Sequence, residues 1–119
     1  MLKNRKIQRA NSDIFRIISS SLRDKLGNIS FTEVSVLGVD TSADFAIARV
    51  SVEISGDEAT QRRVLADLDG VSGLLRTQIA QRLSLRQTPQ IRFQMDRGRE
   101  NANRVEELLN QINNQNGDK

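Results

Sequence analysis

From Phe45 to Ile54 the chain alternates without a slip, with Ala46, Ala48, Val50, Val52 and Ile54 on one side and Phe45, Ile47, Arg49, Ser51 and Glu53 on the other. A period of two sustained this long describes an extended strand, because successive side chains on a strand point to opposite faces. One face is uniformly apolar and demands cover, whereas the other carries charge and tolerates water. Val34, Val36 and Val39 mark a second strand over about residues 30–39, and the short link from Asp40 to Asp44 favours an antiparallel hairpin. After the only proline, Pro89, a third strand is marked by Ile91, Phe93 and Met95 alternating with Arg92 and Gln94.

The cover comes from segments of helical period. Ile7, Ala10, Ile14, Ile17, Ile18 and Leu22 recur at spacings of three and four, which predicts an amphipathic helix over about 5–25, stopped by Gly27-Asn28. Ser55, followed three residues later by Glu58, reads as the N-cap of a second helix that carries Ala59, Val64, Leu65 and Leu68 inward and stops or kinks at Asp69-Gly70. Val71-Ser72-Gly73 is expected to open a third, with Leu74, Leu75, Ile79, Leu83 and Leu85 as its stripe and Arg76, Gln78, Arg82 and Arg86 largely off it. Ala102, Val105, Leu108, Leu109 and Ile112 predict a terminal helix, and the polar tail 113–119 is expected to fray. The order α-β-β-α-α-β-α is that of an α+β domain whose helices cover a three-stranded sheet. A chain of 119 residues has room for one such domain, placed at 1–112.

Composition removes whole classes of chemistry. Without Cys or His there is no thiolate or imidazole metal site, no disulfide and no Ser–His or Cys nucleophile. With no Trp or Tyr and only four Phe, an aromatic platform for stacking bases is not expected. The apolar runs are a few residues long, far short of the roughly 20 that span a bilayer, so a soluble cytoplasmic protein with no membrane partner is expected. Asn28-Ile29-Ser30 fits a glycosylation sequon, but nothing else points to secretion.

The net charge of +3 conceals a partition along the chain. Residues 1–25 hold seven bases and two acids, residues 26–70 three bases and eight acids, and residues 71–95 four arginines and no acid. Two basic segments brought onto one surface would attract phosphate through their summed field and the release of counterions. Left apart, the same arginines are the solvated faces that any surface helix needs. Gly70-Val71-Ser72-Gly73 matches G-x-x-G, the loop with which KH domains hold a nucleic-acid backbone, and it equally suits a helix kink. Asp67 with Asp69, or Glu106 with Glu107, could be imagined as catalytic pairs, but such neighbours usually cap or solvate a helix. No phosphate loop, dinucleotide fingerprint or metal cage accompanies them, so neither catalysis nor a cofactor is expected.

Three ordered pieces give a family likeness. Ser42-x-Asp44-Phe45-x-x-Ala48-x-Val50, then Ser72-Gly73-x-x-Arg76, then Leu83-x-Leu85-Arg86-x-x-Pro89-x-Ile91-x-Phe93-x-x-Asp96 resemble the bacterial ribosome-binding factor A family, and Arg104-Val105 and Leu108-Leu109 continue the likeness. The resemblance implies a KH-like (type II) αββααβ fold and a non-enzymatic factor that binds the small (30S) ribosomal subunit and its 16S rRNA. It further implies a role in late maturation, rRNA processing and adaptation to cold, with release helped by an assembly GTPase. The free protein is expected to be a monomer. Contacts to RNA are then expected from Lys3, Arg5, Lys6, Arg9, Arg76, Arg82 and Arg86, with Gly70, Ser72 and Gly73 setting the helix corner. The rival reading is a protein-interaction module that docks by a strand edge or its terminal helix, with arginines that only solvate.

Overall fold

The alternating segment is the centre of the sheet. A computed structural model describes residues 2–96, with side chains from Arg5 onward, and contains α1 (Leu2–Arg23), β1 (Val34–Thr41), β2 (Ile47–Ile54), α2 (Glu58–Arg82) and β3 (Gln90–Met95). The expected terminal helix and polar tail lie outside the described residues. The sheet order is β1-β2-β3, with β2 antiparallel to β1 and parallel to β3, so α2 is the crossover that a parallel pair requires. Ala48, Val50, Val52 and Ile54 are buried under the helices, and Arg49 and Glu53 face outward, as the alternation predicts. On α1 the buried stripe is Ala10, Ile14, Ile17, Ile18 and Leu22.

Connections carry their own signatures. Gly27 (φ 58°) and Asn28 (φ 65°) are both left-handed, and Leu26 and Ile29 exchange two backbone hydrogen bonds of 3.0 Å around them. Such a turn needs residues that tolerate positive φ, which Gly and Asn do. In β1 the register passes from Val36 opposite Val52 to Gly38 opposite Ser51, leaving Leu37 as the extra residue of a β-bulge. The bulge switches the inward set from Val34 and Val36 to Val39 and Thr41, and turns Leu37 out to 47% exposure.

Two helix boundaries differ from the expectation. Asp57, not Ser55, is the N-cap of α2, its side chain accepting the Thr60 N–H at 2.8 Å. Ser55 still belongs to the hairpin, where its N–H donates to the Glu33 carbonyl at 2.9 Å, and the chain turns only at Gly56 (φ 114°). Ala59 is accordingly exposed rather than inward. The second difference is larger, because there is no break at Asp69-Gly70 and α2 runs unbroken for 25 residues. Val64, Leu68, Val71, Leu75 and Ile79 form one buried stripe at spacings of four, three, four and four, in phase through Gly70. Burying it outweighs the roughly 1 kcal/mol that each helical glycine costs relative to alanine. Ser72 opens no new helix; its hydroxyl bonds back to the Asp69 carbonyl at 2.7 Å, as Thr77 does to Gly73 at 3.0 Å.

A Cβ added at Gly70 or Gly73 would meet nothing within 4 Å. Gly73→Ala is therefore expected to stabilise the protein by about 1 kcal/mol, and Gly70→Ala by a similar amount, read as a higher urea midpoint at unchanged slope. A lower midpoint would show that this stretch needs a conformation alanine cannot adopt.

Candidate nucleic-acid interface

The two basic segments meet at one end of the molecule. Lys6 and Arg9 from α1 and Arg82 and Arg86 from the end of α2 and the loop after it line a single cleft of about 790 Å³, whose third wall is the β1–β2 turn at Asp44 and Phe45. Hydrogen bonds of side chain to backbone and of backbone to backbone hold these walls. Asn11 Oδ1 accepts the Thr41 N–H at 2.9 Å, tying α1 to the end of β1. Arg76 Nε and Nη2 donate to the Thr88 carbonyl at 3.3 and 3.0 Å, tying α2 to the loop before β3. The Gln90 N–H donates to the Ala46 carbonyl at 2.9 Å, closing the turn against β3.

The turn is internally locked. Ser42 Oγ accepts the N–H groups of Ala46 (3.1 Å) and Ile47 (3.0 Å) and donates to Asp44 Oδ1 at 2.7 Å, and that carboxylate also accepts the Ala46 N–H at 3.1 Å. The Ser42 hydroxyl and, after it, the Ala46 amide hold the Asp44 carboxyl below the ordinary aspartate range. It is therefore an anion at neutral pH, but one already engaged by local donors. Asp13, the other acid of the cleft, is paired with Arg16 at 2.5 Å.

Among the described residues, Lys6, Arg9, Arg82 and Arg86 are joined to no carboxylate. The cleft thus offers four cations, while both of its acids are occupied by neighbours. The first turn of α1 contains no acid, although acids favour a helix N-terminus and bases oppose its dipole. Bases crowded there cost helix stability and raise the positive potential over the cleft.

The sequence-predicted site residues separate into three groups. Lys6, Arg9, Arg82 and Arg86 share the cleft, and Arg5 is exposed on α1 beside them. Arg76 does not line the cleft, and its guanidinium holds the loop instead. Gly70, Ser72 and Gly73 lie within α2, where their backbone N–H groups belong to the helix and form no loop around a phosphate. They stand roughly 13–18 Å along the helix from Arg82, by the 1.5 Å rise per residue. The Lys3 side chain is outside the described residues. Phe45 and the Ser42–Asp44 lock are parts of the site that sequence reasoning misses, although Ser-x-Asp before a strand is a turn-forming signal.

Known proteins resemble the chain over most of its length. The family model described as ribosome-binding factor A matches residues 6–109. The ribosome-binding factor A of Rhodopirellula baltica is 33% identical over 111 residues, 93% of this chain and 81% of that one. The crystal structure of ribosome-binding factor A from Thermus thermophilus aligns with a TM-score of 0.61 at 21% identity, over 75% of this chain and 94% of that one. A homology model of the Thermus thermophilus factor, as fitted into the cryo-EM map of a 30S–RbfA complex, aligns with a TM-score of 0.53 at 20% identity, over 71% and 93%.

Proposed function

This chain belongs to the ribosome-binding factor A family, and we propose on that premise that it binds the small ribosomal subunit during late maturation as a non-enzymatic factor. The cleft faces phosphates of 16S rRNA. The observation that carries this reading is the convergence of Lys6, Arg9, Arg82 and Arg86, drawn from two distant basic segments, with none of them neutralised by a carboxylate among the described residues. Each cation that meets a phosphate releases condensed counterions, which supplies affinity without reading sequence. Selection of the site then rests on the shape of folded RNA and its protein surroundings. The fit of a fold neighbour into a 30S complex supports the same assignment. The reading places the factor in the cytoplasm as a free monomer that joins the subunit late in rRNA processing and leaves with the help of a GTPase.

Co-sedimentation with separated small subunits, large subunits and whole ribosomes across a salt series tests it. The expected result is selective retention on free small subunits that weakens steeply with ionic strength. Retention indifferent to salt would assign the contact to an apolar protein interface, and equal or absent retention would remove the proposal.

A further inference from the structure

Among the described residues, Phe45 is the one aromatic side chain lining the basic cleft, and its backbone is left-handed at φ 59°. A bulky side chain at positive φ is an outlier, since Cβ crowds the backbone there and Gly or Asn would make the same turn without strain. The strain is fully determined by its surroundings. The Phe45 N–H donates to the Ser42 carbonyl at 2.9 Å, and the Ser42–Asp44 lock fixes the residues on both sides. Strain of this kind clusters where a side chain has to be presented in a set position. Phe45 is half-buried, packed against the core on one side and lining the cleft on the other. Four cations surround a cleft of about 790 Å³, within the size of pockets that take nucleotide-sized ligands.

We infer that the cleft accepts an unpaired nucleotide of RNA, its base stacked on the Phe45 ring and its flanking phosphates held by Lys6, Arg9, Arg82 and Arg86. This rests on the RNA-binding reading above and adds to it a demand for a free base, which phosphate contacts alone do not make. A single ring is no platform for a run of bases, but one π-face suffices for one base of any identity. The site therefore discriminates unpaired from paired RNA and is tolerant of sequence.

Two probes of equal length and charge separate these contributions, a short single-stranded oligoadenylate and an abasic ribose-phosphate oligomer. The wild type is expected to bind the oligoadenylate roughly tenfold more tightly at fixed salt. Phe45→Leu, which keeps apolar bulk against the core, should abolish that preference and leave the salt slope unchanged, and Phe45→Tyr should restore it. Arg82→Ala and Arg86→Ala should do the reverse, flattening the slope and keeping the preference. With a single 2-aminopurine flanked by abasic sites, so that the free probe has no stacked neighbour, the wild-type complex should show quenched fluorescence, a reading that needs no variant to fold. Equal affinity of the wild type for the two probes, absence of quenching, or a preference that survives Phe45→Leu each overturns the inference while leaving phosphate binding intact. Failure of the wild type to bind either probe with salt dependence removes the RNA reading along with it.

Discussion

A variant with alanine at Lys6, Arg9, Arg82 and Arg86 together is expected to bind small ribosomal subunits far more weakly and with a much flatter dependence on salt. Each phosphate contact contributes about 0.7–0.9 to the slope of log affinity against log salt, so losing four should reduce it by about 3. Over a fourfold rise in salt the wild type should then lose roughly 50–100-fold more affinity than the variant. The fold should survive, because Lys6, Arg9, Arg82 and Arg86 are all exposed and none is joined to a carboxylate among the described residues. Losing Lys6 near the start of α1 eases a conflict with that helix's dipole, whereas losing Arg82 from the last turn of α2 removes a favourable one, so the melting temperature should change little. Alanine at Arg62 and Arg63 is the matched control. Those arginines are exposed near the opposite end of α2, roughly 30 Å from Arg82, and should barely alter the slope. Equal slopes for wild type and the fourfold variant would mean that the cleft takes no part in binding.

That expectation rests on a meeting of residues that the sequence could describe only by halves. The acid-free stretch 71–95 and the base-rich residues 1–25 are plain in the composition, but nothing local in either says that α1 and the end of α2 flank the same turn. Their juxtaposition follows from the crossover, since the parallel pairing of β2 with β3 brings the start of β3, and with it the loop holding Arg86, beside the β1–β2 turn. Strand β2 and its buried face were legible because a period of two has one structural meaning. The bulge in β1 also left a trace, since the step from Val36 to Val39 is three residues instead of two and Gly38 lies inside it. The N-cap falls two residues later than the pattern suggests because Ser55 satisfies it by residue type alone, and the role of Ser55 in the hairpin is visible only once the strands pair. Phe45 gave no warning, because positive φ is signalled by Gly or Asn and a phenylalanine conceals it. Local propensity fails here at the cleft, at the left-handed Phe45 and at the bases opposing the α1 dipole, and departures of this sort concentrate where function overrides stability.

The helix break expected at Gly70 has a different origin, and the adjacent leucines Leu74 and Leu75 show what decides it. Leu75→Ala is expected to destabilise the protein by about 3 kcal/mol and to lower its melting temperature by roughly 10–15 °C. Leu74→Ala should cost less than about 1 kcal/mol. Leu75 is fully buried, whereas Leu74 is 50% exposed and lies near the turn at Gly27. Read as the start of a helix opening at Val71, both leucines fall on an apolar stripe. Read as the middle of a helix that began at Glu58, only Leu75 continues the series Val64, Leu68, Val71, and the next member is Ile79. The phase of that series crosses Gly70 and Gly73 without a shift, and it was present in the sequence. A glycine weakens a helix by about 1 kcal/mol, whereas a fully buried leucine is worth about 1.5–3 kcal/mol, so a stripe of five buried residues prevails over two glycines. Similar losses for the two leucine variants, read by thermal and urea unfolding, would contradict a single straight-phased α2 and return the break to Gly70.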